Sequence, residues 1–528
     1  MKGLFITGGT LWSGSAFLRG HALLVCGERI VAAGPEESVR AAVPPGTTEL
    51  RLSGESVLPG FVDAHIHLTT WAKQRSLLDL GGARSLDEAL DMVREEARRT
   101  PPDGWIRGWN YNETLWSGRR SLKGPDLDSL AIPNPVLLQR VCTHINVANR
   151  RALDLTGIDS SDGVLEERDA VHALRAMEKS VFSRRALLEA LKTACAELAS
   201  MGVTCVHPCG ADDYGMEEDL SLYEELRAAG DLPVRVFSYH DAPSYPAMPS
   251  GFGGDWIRYQ GLKIYLDGSL GGRTAALSAP YSDAPSTCGQ LNWTITHVTD
   301  MLRTARERGV QTLLHAIGDR ALDQAISCIS TVDAEFGPAR LRDRVNHLIV
   351  CRPDQRARLA ELGVFCDIQP SFVPSDAAMA PPRLGPDRMK WAYRWRSIMT
   401  ECGPVSASSD APVESANPMH SLGALLDRPG MPHSPEERLS LEEAIPMFTE
   451  NPYRAVGRSD GGRLTEGCLA DLAVLDRDIR GLTGPELKDV GVMCTIAGGR
   501  TTHGGPLEAT DGPTSEARVI CPRPRVAR

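Results

Sequence analysis

The sequence predicts an α/β protein, a closed barrel of eight parallel strands alternating with helices, joined to a small β-sandwich assembled from both ends of the chain. Three observations carry that expectation. Residues 1–59 alternate short apolar runs with turn residues, and the same texture returns near 456–505. Between these ends, strand-like apolar runs alternate with amphipathic helical stretches over ~350 residues, which is the pattern of a parallel sheet. About eight such units close a TIM-like (β/α)8 barrel. An open doubly wound sheet is the weaker alternative, because no glycine-rich phosphate loop follows the first strand.

Taken in order, LFITGGTL, HALLVCGERIVAAG and TELRLSGESVLPG read as hairpin strands of a half-buried sheet. GCLADLAVLD (467–476) and VMCTIAGGRTTHGG (492–505) complete that sandwich from the other end. The barrel is expected over 60–455. Its strand-like runs are LPGFVDAHI (58–66), NPVLLQRV (134–141), GVTCVH (202–207), PVRVFSY (233–239), GLKIYL (261–266), VQTLLH (310–315), RVNHLIV (344–350), GVFCDIQ (363–369) and PVSASSD (404–410). Nine runs are one too many for eight strands; the surplus is PVRVFSY or else an extra strand. Residues 69–130, with Trp71, Trp105, Trp109 and Trp116, read as an insertion after the first strand; 506–528, polar and Pro-rich, reads as a disordered tail.

Composition narrows the function. The chain has 528 residues, 42% hydrophobic and 24% charged, as expected of a globular protein with a large core. Its net charge of −11 argues against a nucleic acid or an acidic membrane face as partner. No run approaches the ~18 apolar residues of a membrane span. Thirteen cysteines without a CxxC pair suit a reduced, cytoplasmic protein. VTCVHPC, around His207, reads as a strand and a Pro turn rather than a metal knuckle.

The chemistry lies where polar residues interrupt the apolar runs. Asp63, His65 and His67 close the first run, Lys263 lies in GLKIYL, His315 ends VQTLLH, His347 sits in RVNHLIV and Asp410 ends PVSASSD. Strand ends of a barrel share one mouth, where catalytic groups gather. Residues i and i+2 of a strand face the same way, so His65 and His67 can hold one ion between them. Neutral imidazoles and a carboxylate suit a divalent metal of zinc's kind, one ion or two, with Mn, Fe or Co as substitutes. Lys263 is the exception: as an ammonium it repels a cation, so it is either carboxylated or paired with Asp267 or a substrate carboxylate. Asp63 either orients an imidazole or makes a strand-end turn contact. DGSLGG (267–272) reads as a lid.

GFVDAHIHL, LKIYLDGSLGGRTAAL, LLHAIGDRA, NHLIV, SSDAPVESANPM and GCLADLAVLD together resemble the amidohydrolase superfamily, and within it the amidohydrolase-3, YtcJ-like branch that includes N-substituted formamide deformylases. The resemblance spans roughly residues 1–505. It implies that His65 and His67 ligate a first metal, Lys263 bridges as a carbamate, His315 and His347 ligate a second, and Asp410 is both ligand and proton-handling base. It implies further that His144, in RVCTHINVANRRAL, faces substrate. Asn346 departs from the acidic residue that relatives often carry before the histidine. His207, Trp109 and Asp267 are the other expected substrate contacts. The implied reaction is hydrolysis of a carbon–nitrogen bond of a small molecule by a metal-activated water. The same donor set also serves deamination, ring opening, ester hydrolysis or isomerisation, and a non-catalytic binding protein is the remaining alternative. The expected partner is a small-molecule substrate, with a homodimer allowed for.

Overall fold

The computed structural model describes residues 3–117, 120–140, 145–210, 216–242, 248–431 and 434–504. The chain divides into two compact units, Met1–Leu68 with Cys195–Arg528, and Thr69–Ala194.

Eight parallel strands form the barrel of the first unit: β1 (Phe61–Ile66), β2 (Val203–Pro208), β3 (Arg235–Asp241), β4 (Ile257–Tyr265), β5 (Gln311–Ala316), β6 (Arg344–His347), β7 (Phe365–Ile368) and β8 (Val405–Ala407), paired in that order. β1 is buried along its whole length, as strands covered on both faces are. The ring closes just past β8, where Asp410 N–H donates to His65 O and His67 N–H to Ala411 O, each at 2.9 Å. Helices such as Asp319–Phe336 cover the outside, with Ala321, Leu322, Ala325 and Ile329 buried at helical spacing.

Both ends of the chain build the sandwich. One sheet orders the strands Arg29–Pro35, His21–Cys26, Gly3–Thr7 and Thr48–Arg51. In the other, Leu472–Leu475 pairs antiparallel with Ser56–Pro59, tying the C-terminal hairpin to the N-terminal strands. Ile6, Leu23, Val25 and Leu50 from the first sheet pack with Val57, Leu472, Val474 and Ile496 from the second.

The second unit holds a five-stranded sheet in the order Val164–Glu166, Ile145–Ala148, Val136–Arg140, Ile106–Tyr111, Leu78–Asp79. Leu80, Val93, Ile106, Val136, Leu138 and Trp116 form a core of its own. Two expectations are corrected here. NPVLLQRV, and not PVRVFSY, is the surplus run: it lies in this sheet, where Leu137 pairs antiparallel with Ala148. On its other side the run pairs parallel with Ile106–Tyr111, so both of its neighbours belong to this sheet and none to the barrel. The separate unit therefore runs to Ala194 instead of ending at 130. Among the described residues, no helix is long and apolar enough to cross a membrane. The tail at 506–528 lies outside the described residues.

Candidate metal centre

β1 delivers two imidazoles to one carboxylate. His65 Nε2 and His67 Nε2 each stand 3.2 Å from Asp410 Oδ1, and one ligand atom from each of the three residues lies within 4.8 Å of the others. The backbone hydrogen bonds that close the ring between β1 and the end of β8 set this meeting. Asp410 adopts a left-handed φ of 58°, a strained backbone for a residue with a side chain, which turns its carboxylate back over the strand ends.

Asp63 fixes the same corner from below. Its carboxylate accepts from Ser409 N–H (3.0 Å), Ser409 Oγ (2.5 Å) and His65 N–H (3.3 Å). Of the two readings of Asp63, the strand-end contact is the one observed; it grips backbone and a hydroxyl, not an imidazole. Burial pushes its pKa up to about 6 against the pull of those bonds.

His347 and His315 join the group, with ring centroids 4.3 Å apart and His347 5.2 Å from His65. In a regular strand, Arg344 and Asn346 facing inward would send His347 outward. A φ of 75° at His347 breaks that alternation. Its Nδ1 then meets Gln369 Oε1 at 2.7 Å, so the proton belongs on Nδ1 and the Nε2 lone pair is left for another partner. His315 Nε2 lies 3.1 Å from Gly268 O and 3.4 Å from Asp267 Oδ1. Burial, with the Lys263 charge adding to it, pushes the His315 pKa down to about 3; burial likewise holds His65 and His347 well below the usual imidazole range. Uncharged rings are the form that can ligate a cation.

Lys263 is fully buried, with Nζ 3.3 Å from His65 Nε2 and 3.0 Å from Asn346 Oδ1. Burial lowers its pKa. No ion pair ties Lys263 to Asp267. Asp267 instead accepts from the N–H groups of Ala276, Ile317 and Gly318, anchoring the DGSLGG loop, and burial raises its carboxyl to about 7.

The structure gathers His65, His67, Lys263, His315, His347 and Asp410, with Asp267 beside them. His207 is corrected: expected to touch substrate, it has no exposed surface and sits within the barrel, where Arg344 Nη1 meets its Nδ1 at 3.2 Å and Phe237 stacks on its ring. A strand-end residue whose partner is a buried arginine belongs to the layer below the mouth. Trp109 lies half-buried in the second unit's sheet, paired with Asp79. His144 lies outside the described residues. Gln369 and Ser409 were missed, although each is a polar residue at a strand end, the same signal that found the others.

The donor set fits a divalent cation. Asp410 Oδ1 is buried without a hydrogen-bond partner among the described residues, and His65 Nε2 and His67 Nε2 converge on it. A buried carboxylate oxygen left unpaired against two imidazole nitrogens is costly unless a cation satisfies it.

Comparison with known proteins agrees. A model of the amidohydrolase family matches residues 50–503. YtcJ of Bacillus subtilis (strain 168) is 30% identical over 87% of this chain and 91% of its own length. An N-substituted formamide deformylase of Arthrobacter pascens is 26% identical over 91% and 94%. Among solved structures, an uncharacterized metal-dependent hydrolase from Pyrococcus furiosus superposes with a TM-score of 0.78 at 30% identity, covering 90% of this chain and 99% of its own. Its counterpart from Pyrococcus horikoshii gives 0.80 at 28%, covering 92% and 99%.

Proposed function

This chain belongs to the amidohydrolase family and is a metal-dependent hydrolase of that superfamily, and we propose that the bond it cuts is the carbon–nitrogen bond of a small-molecule amide, N-substituted formamides included. The observation that carries the reading is the convergence of His65, His67 and Asp410 within 4.8 Å at the barrel mouth. Nitrogen and oxygen donors without thiolate suit zinc in a catalytic rather than a structural role. His65 and His67 would hold the ion, and His315 and His347 would hold a second. A bound divalent ion polarises a carbonyl and acidifies water.

The chain's own residues do the rest. Asp410 takes the proton from the attacking water at its carboxylate and returns it to the departing amine nitrogen. Gln369 keeps the His347 proton on Nδ1. Lys263, its pKa lowered by burial, is disposed toward the neutral amine that carboxylation requires. His144, from its motif, is the proposed contact to the substrate oxygen. The similarity to a formamide deformylase supports an acyl–nitrogen bond as target. The test is metal analysis of the purified protein, followed by a panel of N-substituted formamides, larger acyl amides, cyclic ureas and matched esters. Turnover of an amide that chelation abolishes and zinc restores is the expected result. Turnover of esters alone would move the reaction off carbon–nitrogen bonds, and activity indifferent to chelation would refute the metal.

A further inference from the structure

A cavity of about 550 Å³ lies at the opposite end of the barrel strands from the histidines. It opens between residues 249–251, the first half of β4, the start of β5 and the loop 339–341. Gln311 at the start of β5 is in its wall and His315 is four residues on, so roughly 13 Å of strand separates it from the metal centre. Its volume is that of a small-molecule site.

The charge on its walls is one-sided. Arg258, Arg306 and Arg340 line it, and among the described residues no carboxylate does. Arg306 is satisfied by Asp333 (2.8 Å), Asp343 (3.0 Å) and Gly337 O (2.6 Å). Arg258 has no acidic partner. Its Nε donates to Gly254 O at 2.8 Å and its guanidinium lies 5.7 Å from the centre of the Phe237 ring, but no ion pair engages its terminal nitrogens among the described residues. The nearest acids are already committed: Asp255 and Asp460 each pair with both Arg29 and Arg458. Burial and the neighbouring Arg458 lower the Arg258 pKa, against the more distant pull of Asp255 and Asp460. Exposed Arg340 has no ion pair among the described residues. Pro249, Val310, Leu341 and Val456 add apolar surface to the wall, and Ser250 and Gln311, which also line it, are hydrogen-bonded to Gln260 O and Arg342 O.

We propose that this cavity binds a small organic anion, a carboxylate or phosphate ester, with its charged head on Arg258 and Arg340 and a short apolar body against Val310, Leu341 and Val456. A half-buried guanidinium recovers its lost hydration by paired hydrogen bonds to such a head. Inorganic phosphate would find the charge but leave the apolar wall empty.

The test is calorimetric titration of the metal-loaded full chain, at low salt, with benzoate, phenyl phosphate, inorganic phosphate and uncharged benzyl alcohol. Benzoate or phenyl phosphate should bind, whichever is tighter naming the head group, and more weakly as salt is added. Arg258→Gln should weaken binding at least about tenfold with hydrolytic turnover unchanged. Arg340→Gln should weaken it a few-fold, and Ala339→Phe should obstruct the cavity without altering charge. Binding to all three variants as tight as to the wild type would place the anion elsewhere and overturn the proposal, as would benzyl alcohol binding as well as benzoate. Inorganic phosphate binding as tightly as phenyl phosphate would overturn the apolar part.

Discussion

Where the sandwich meets the lower end of the barrel, Arg235 grips Asp471 through two hydrogen bonds of 2.8 and 3.0 Å, and Tyr453 OH and Gly498 N–H donate to the same carboxylate. At the upper end Asp410 Oδ1, equally hidden from water, faces two imidazoles at 3.2 Å and has no hydrogen bond among the described residues. The lower pair has its complement built in. The upper group keeps acceptors unpaired and holds His347, Leu348 and Asp410 at positive φ, each strained by about 1–3 kcal/mol. Sites that pair every buried charge serve stability; sites that leave acceptors and strain in place are arranged for something that is to bind. The contrast predicts that substitutions at the two ends fail in different ways.

The largest expected effect is at the top. Asp410→Asn keeps the side chain's shape, and Asn tolerates left-handed backbone at least as well as Asp. Folding and the His65–Asp410 backbone bond should survive, while turnover falls about 10³-fold or more with the proton acceptor gone. Full turnover in Asp410→Asn, measured on metal-loaded protein, would remove it as the base. At the bottom, Arg235→Met should cost about 3–5 kcal/mol, because it strands a buried carboxylate. Urea unfolding reads that loss. The protein that remains folded should turn over normally, and a matching fall in kcat would break the division between the two ends.

What could be read in advance follows the same line. His65, His67, Lys263, His315, His347 and Asp410 were legible because each interrupts an apolar run near a strand end, and one mouth collects strand ends. The ring and the composite sandwich were legible from the texture of the runs. Pairing partners distant in sequence were not: Asp63 with Ser409 spans 346 residues and Arg344 with His207 spans 137, and no local pattern encodes either. The place of NPVLLQRV in the second unit's sheet, parallel to Ile106–Tyr111 and antiparallel to Ile145–Ala148, was hidden for a related reason, since an apolar run looks alike in either kind of sheet. Nor could the sequence show the turn at His347, which depends on the left-handed backbone there.

The wall between the two ends offers a pH test. On β3, His240 lies against Tyr259 and meets Ser238 Oγ at 2.9 Å, and burial pushes its pKa down to about 4. The unfolded chain takes up that proton near pH 6.5, which the folded chain refuses until about pH 4. Stability is therefore whole above pH 6.5 and is lost as pH falls toward 4, by roughly 3 kcal/mol. Urea unfolding of wild type and His240→Leu, both metal-loaded, should differ in pH dependence by about that amount. Equal slopes would show that the ring is not held neutral.

The smallest effect is the most discriminating, because Gln369 belongs to the upper end yet touches no reacting atom. Its Oε1 accepts a hydrogen bond from His347 Nδ1–H and its Nε2 donates to Ser408 Oγ at 2.9 Å, so the amide ties the ring to the start of the segment that carries Asp410. Gln369→Leu frees the ring to rotate or change tautomer, and such losses cost about 10–100-fold in metal affinity or activity. Gln369→Glu keeps the acceptor and should restore most of it. If Gln369→Leu lowered stability as Arg235→Met does while sparing metal affinity and turnover, Gln369 would count with the paired charges below, and the line between the two ends would have to be redrawn above it.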